Sequence, residues 1–156
     1  MMKIDEAKKI AKKYLNLLKP YCWRIEIAGS IRREKSEVKD IEIVAIPLDL
    51  VGFSTEVNEL EKVKGNPTGK YTQRILPEGI KLDLFMANIR NWGLIFAIRT
   101  GSARYSHEIL ACGWVKRGYK SINGMLTKNG REIEVREEKD LFNLIGVAYI
   151  QPNQRF

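Results

Sequence analysis

The stretch AGSIRREKSEVKDIEIVAIP, residues 28–47, sets a Gly-Ser step and two arginines ahead of a strand in which acids alternate with apolar residues. Residues two apart on a strand share a face, so Asp40 and Glu42 point one way while Ile41, Ile43 and Ala45 point into a core. Carboxylates crowded on one face repel one another and resist ionisation unless cations lie between them. A later segment, KLDLFMA at residues 81–87, repeats the pattern, with Leu82 and Leu84 on one face and Asp83 on the other. If the two strands are neighbours, three carboxylates converge on one patch of a sheet.

Oxygen ligands without histidine or thiolate suit Mg²⁺ or Mn²⁺, and a pair of such ions can clamp both oxygens of a phosphoryl transfer. Gly29 falls where a strand ends and a helix begins, a place where backbone N–H groups can meet phosphate oxygens. Ser30 adds a hydroxyl, and Arg32 and Arg33 add forked cationic donors. A simpler reading stands beside this one. Acids on a strand can lie on a solvated face, and Gly-Ser is a common turn. The functional reading rests on the order of the parts: Gly-Ser, two arginines, acid-x-acid, then a third acid on a later strand.

Composition narrows the alternatives. Of 156 residues, 27 are Lys or Arg and 19 are Asp or Glu, a formal net charge of +8 that suits an anionic partner such as nucleic acid. His107 is the only histidine, which excludes every mechanism needing several histidine ligands. Cys22 and Cys112 form no CxxC pair and read as two buried free thiols. No apolar run reaches the length of a membrane span, and the start MMKIDEAKKI lacks a signal-peptide core. The expectation is an intracellular protein of cytoplasm or nucleoid, monomeric and without membrane contact, with a viral or phage origin left open.

Periodicity supplies the elements. Residues 5–18 place Ala7, Ile10, Ala11, Tyr14, Leu17 and Leu18 on one helical stripe, stopped by Pro20. WRIEIAG and DIEIVAIP read as strands, and STEVNELEKV as a helix capped by Ser54 or Thr55. Residues 69–87 form a hairpin turning at Pro77-Glu78-Gly79. Two helices follow, broken at Thr100-Gly101-Ser102, with Ser102 as N-cap and Gly118 as terminator. Then come a hairpin around Asn129-Gly130 and a short helix ending at Gly146. Trp92, Phe96 and Trp114 read as core residues rather than base-stacking platforms, and Ser106-His107 as capping and packing, with contact to a nucleotide as the alternative. The result is an α+β fold, a mixed β-sheet with flanking helices followed by a small C-terminal α/β subdomain, divided as residues 1–90 and 91–156.

These residues resemble the family X DNA polymerases of the polymerase beta nucleotidyltransferase superfamily. The resemblance is carried by Gly29-Ser30-Ile31-Arg32-Arg33, Asp40-Ile41-Glu42, Lys81-Leu82-Asp83, Thr100-Gly101-Ser102 and the closing EKDLFNLIGVAYIQPNQR. It implies a nucleotidyltransferase palm in residues 1–90 and a subdomain binding the nucleotide and nascent base pair in residues 91–156. Asp40, Glu42 and Asp83 would bind two Mg²⁺ or Mn²⁺ ions, with Asp83 assisting 3′-hydroxyl deprotonation. Gly29, Ser30, Arg33, Arg99, Gly101 and Ser102 would contact the incoming dNTP, and Lys81 and Arg104 would contact DNA.

On this resemblance the chain adds a deoxynucleotide to a DNA 3′ end of a primer/template or gapped duplex and releases pyrophosphate, in repair or gap filling. Only one helix precedes the palm, which implies a minimal form without the family's N-terminal lyase domain. Ile98-Arg99 replaces the aromatic pair of polymerase beta, Glu42 the more frequent Asp, and Lys39 a common Gly. Two other readings remain at this point: a nucleotidyltransferase with an RNA, small-molecule or protein acceptor, and a non-catalytic nucleic-acid-binding module with a decayed site.

Overall fold

The acid-bearing strand lies inside a five-stranded mixed sheet. The computed structural model describes residues 1–156. A short strand β1 (Met2–Lys3) leads into helix α1 (Ile4–Leu18), which a 3₁₀ turn containing Pro20 ends. Ala7, Ile10, Ala11, Tyr14 and Leu18 form the buried stripe of α1, whereas Leu17, expected on it, is 40% exposed. At about 100° per residue Leu17 falls beyond the edge of the stripe.

Next come β2 (Cys22–Ile27), a single helical turn α2 (Gly29–Arg32), β3 (Glu37–Val38) and β4 (Asp40–Pro47). Helix α3 (Leu50–Asn58) begins earlier than the sequence suggests. Its cap is Asp49, whose side chain accepts from the Gly52 N–H at 3.0 Å, rather than Ser54 or Thr55. The expected end of that helix is instead strand β5 (Glu61–Gly65), which pairs antiparallel with β6 (Tyr71–Ile75). Ladder bonds to β6 outweigh the weak helical preference of EKVKG, an effect of tertiary context on a short segment.

Strand order is β2-β4-β7-β6-β5, with β7 (Lys81–Met86) parallel to β4 and all other pairs antiparallel. The β4–β7 register sets Ile41 beside Leu82, Glu42 beside Asp83 and Ile43 beside Leu84. One face of this pair (Ile41, Ile43, Ala45, Leu82, Leu84) packs on α1 and on Phe53 and Val57 of α3. The β6–β7 turn is tied to α1 by Tyr14, which donates to Glu78 Oε1 at 2.6 Å.

The other face bears the acids and then, along the same strands, Val44, Ile46 and Phe85. These apolar residues are covered by Trp92 and Phe96 of α4 (Trp92–Thr100). Beyond α4 the chain winds through α5 (Ala103–Tyr105), a π-helical segment Ser106–Ala111 and α6 (Cys112–Lys116), then a sheet of β8 (Lys120–Ile122), β9 (Met125–Lys128) and β10 (Arg131–Ile133). Turns at Asn123-Gly124 and Asn129-Gly130 make this a three-stranded meander rather than the single hairpin expected. Helix α7 (Glu138–Ile145) starts in a reciprocal cap between Glu137 and Asp140 and ends at a left-handed Gly146. Leu94, Tyr105, Leu110, Trp114, Leu126, Leu141 and Phe142 share the core of this second half. Trp92, Phe96 and Trp114 are therefore core residues, as their spacing suggests. Both cysteines are free but only half-buried, Cys22 at the edge of the first core. No helix is long and apolar enough to cross a membrane.

Candidate active site

Strand pairing brings the three carboxylates to one face. Glu42 and Asp83 are cross-strand neighbours, and Asp40, two residues before Glu42, sits opposite Lys81. Burial first, then Asp83, pushes the Glu42 carboxyl up to about 7; Asp40 adds to the rise, and Arg33 opposes it. Asp40 is also raised, by burial and by Asp83, with Lys39 and Lys81 pulling the other way. Charge crowding on this patch is thus a property of the fold.

The Gly-Ser turn abuts the acids. Ala28 N–H donates to the Glu42 carbonyl at 2.8 Å, closing the end of β2 onto β4. Gly29 has φ +62°, and a Cβ there would lie 1.5 Å from Glu42 Oε2. Only glycine permits both that backbone conformation and that approach. The backbone N–H of Ser30 favours the ionised form of Glu42, so the carboxylate rests against the amides that a phosphate would use.

Arg33 and Arg32 have different surroundings. Arg33 Nη1 donates to the Thr100 carbonyl at 2.5 Å and lies against Gly101, while its buried Nε has no partner. Burial lowers its pKa and Glu42 holds it up. Arg32, read from sequence as a second phosphate donor, is committed elsewhere. Its guanidinium donates to Glu138 at 2.6 and 2.9 Å and to Thr100 Oγ1 at 2.7 Å, and stacks on Phe96. A partner in α7, over a hundred residues away, claims it.

The remaining candidates lie around this centre. Gly101 and Ser102 are joined by a cis peptide, and Ser102 Oγ accepts from the Tyr105 N–H as the helix cap. Arg99 is exposed, with its guanidinium 4.2 Å from the Phe85 ring centroid. Lys81 stands exposed at the mouth of the acid patch, whereas Arg104 pairs with Glu108 and covers Phe156 in the second half. Ser106 Oγ donates to the Ile98 carbonyl, but His107 is exposed and does not pack.

Sequence reasoning missed the groups that hold Asp83. Tyr71 Oη and Gln73 Nε2 both donate to Asp83 Oδ1, at 2.6 and 2.8 Å. The signal was the hairpin register. A turn at residues 76–80 sets Gln73 opposite Asp83, and Tyr71 shares its face.

The donor set is all oxygen and suits a hard divalent ion in type and in charge. As the side chains stand, no three acidic, histidine or cysteine groups close around one point. The reason is visible in the rotamers: Asp83 Oδ1 is turned to Tyr71 and Gln73, and Glu42 lies against Gly29. Asp83 Oδ2 is already free of protein hydrogen bonds, so an ion would call for rotation of Glu42 away from Gly29 and no change of strand register.

One consequence is measurable without substrate. The ordinary carboxyl of Glu42 titrates near 4.5, and in the fold near 7. Between those values the folded protein holds a proton the unfolded chain has lost, so stability falls as pH rises through that window. Glu42→Gln should therefore raise the melting temperature in EDTA at pH 8, by an effect on the order of 2–3 kcal/mol, and change little at pH 4.5. Thermal melts at the two pH values check this; an equal shift at both contradicts it.

The architecture that carries this patch is shared with a solved polymerase. The chain superposes on the crystal structure of Leishmania infantum polymerase beta with a TM-score of 0.75 and 18% identity, covering 99% of this chain and 76% of that one. Residues 96–156 match the DNA polymerase beta thumb family. The second half thus resembles a polymerase beta thumb, and the whole chain shares the α+β fold of polymerase beta. No curated protein matches it in sequence.

Proposed function

We propose that the protein is a metal-dependent DNA nucleotidyltransferase that adds a deoxynucleotide from dNTP to a DNA 3′-hydroxyl, in gap filling or repair. One observation carries the reading. Glu42 and Asp83 are paired in register on parallel strands, with Asp40 on the same face and the Gly29-Ser30 turn against them. The Leishmania polymerase beta, described as a ternary P/T complex, supports DNA as the partner.

Asp40, Glu42 and Asp83 would hold Mg²⁺ or Mn²⁺. Bound there, such ions neutralise triphosphate charge and make the attacking hydroxyl more acidic. The chain supplies position and charge. Ser30 and the half-buried guanidinium of Arg33 receive the phosphates, with Arg33 already oriented by the Thr100 carbonyl. Gly101, Ser102 and Arg99 border the nucleotide, and Asp83 takes up the 3′-hydroxyl proton. Phosphoryl transfer needs little further from protein side chains, which accords with a chain holding a single histidine.

Labelled dNTP offered with a one-nucleotide-gapped duplex, with single-stranded DNA and with RNA tests the reading. Preferential extension of gapped DNA in Mg²⁺ is expected; label on RNA alone would overturn it. Lys81 and the net positive charge should engage DNA phosphates, so affinity is expected to fall with salt at a log–log slope of about −0.9 per phosphate contacted. A slope near zero in an anisotropy titration would remove the electrostatic part of the proposal.

A further inference from the structure

We propose that Tyr71 and Gln73 are positioning residues for Asp83, a two-donor cradle that fixes which carboxylate oxygen is presented for metal and proton; the proposal rests on the nucleotidyltransferase reading above. Both side chains donate to the same atom, Oδ1, at 2.6 and 2.8 Å, and Oδ2 receives no hydrogen bond from the protein. Two donors converging on one oxygen of a buried carboxylate stop its rotation, so Oδ2 is left as the working atom.

The cradle is itself held. Tyr71 stacks on Phe85 with ring centroids 4.9 Å apart and planes 22° from parallel. Arg99 of α4 covers Phe85 at 4.2 Å. A continuous column therefore runs from a helix of the second half, through Phe85 and Tyr71, to the carboxylate. The Tyr71 hydroxyl is the donor in this pair, since the Asp83 carboxylate oxygen accepts. Register makes the arrangement obligatory. Gln73 lies opposite Asp83 and Tyr71 opposite Phe85, so all four residues share one face of the hairpin.

Two substitutions separate positioning from packing. Tyr71→Phe removes the hydroxyl and keeps the ring column; Gln73→Met removes the amide donor at similar length. For each, kcat and KM for dNTP are measured on gapped DNA. Mn²⁺ affinity is measured by electron paramagnetic resonance with dNTP and no DNA, and folding by thermal melts. Each variant is expected to lose about 10- to 100-fold in kcat and in Mn²⁺ affinity, with KM for dNTP and the melting curve close to wild type. Wild-type Mn²⁺ affinity in both variants overturns the cradle. If Tyr71→Phe fails to fold, Gln73→Met decides. A wild-type protein that binds Mn²⁺ yet adds no nucleotide sinks the functional reading alone, and the affinity comparison still judges the cradle. Wild-type protein that binds no Mn²⁺ overturns both.

Discussion

Asp83→Ala is expected to abolish nucleotide addition to gapped DNA while the protein remains folded. Asp83 is the one acid of the three that is buried, and it alone receives two side-chain hydrogen bonds at a single oxygen. On the proposed function, losing the carboxylate that would hold an ion and accept a proton costs several kcal/mol of transition-state stabilisation, and each ~1.4 kcal/mol is tenfold in rate. A fall of at least about three orders of magnitude in single-turnover rate follows. Stability should move the other way or hardly at all. Removing Asp83 relieves part of the repulsion on Glu42 and Asp40, which offsets the partners lost by Tyr71 and Gln73. Asp83→Asn retains the shape and should be as inactive. Substantial extension by Asp83→Asn with Mg²⁺ would remove Asp83 from the chemistry.

The second large effect is one of stability. Glu138→Ala should destabilise the protein by about 3–5 kcal/mol, the usual result of stripping one member from a buried ion network. Glu138 Oε2 accepts from Arg155 Nη1 at 2.7 Å and from Arg32 Nη1 at 2.9 Å, and Oε1 from Arg32 Nη2 at 2.6 Å. The Arg155 side chain is fully buried, with nowhere to discharge a lone guanidinium. Burial would raise the Glu138 pKa, but the bonds to Arg32 and Arg155 hold it below the usual carboxylate range. Its contribution is therefore present above the ordinary carboxyl pKa and lost as pH falls through the lowered one. Urea unfolding at pH 7 should show a midpoint lowered by 1 M or more, given slopes of about 1–3 kcal/mol per molar. The neighbouring Arg24–Glu137 pair offers the contrast. Its distances are as short, at 2.6 and 3.0 Å, but Arg24 and Glu137 are 36% and 55% exposed, so the coupling energy of this pair in a double-mutant cycle should be below about 1 kcal/mol.

Legibility from sequence followed sequence distance and period. Alternation at Asp40–Ala45 and Leu82–Leu84 was readable because a period of two assigns faces without knowing the neighbour. The Gly29 turn was readable because its chemistry is local. Arg32 was misread because a guanidinium after Gly-Ser looks like a phosphate ligand until its partner, Glu138 on a distant helix, is known. The cap at Asp49 and the strand at residues 61–65 were hidden by a segment that suits helix and edge strand about equally. Tyr71 and Gln73 required the hairpin register to be carried one step further, from where the turn lies to which residues face across it.

The parallel pairing of β4 with β7 also governs how the chain tolerates change in length. Glu42 meets Asp83 through backbone ladder bonds, so the crossover between the two strands sets neither their spacing nor their facing. Residues added at the exposed positions Thr68 and Gly69 of the β5–β6 tip leave the carboxylates where they are, since each doubling of a flexible loop costs only about 0.6 kcal/mol. A single residue deleted within β7 reverses its alternation and turns Asp83 into the apolar layer. Tip insertions thus offer a place to graft a fluorophore or affinity tag close to the working face, while the strand interior admits no change of length at all.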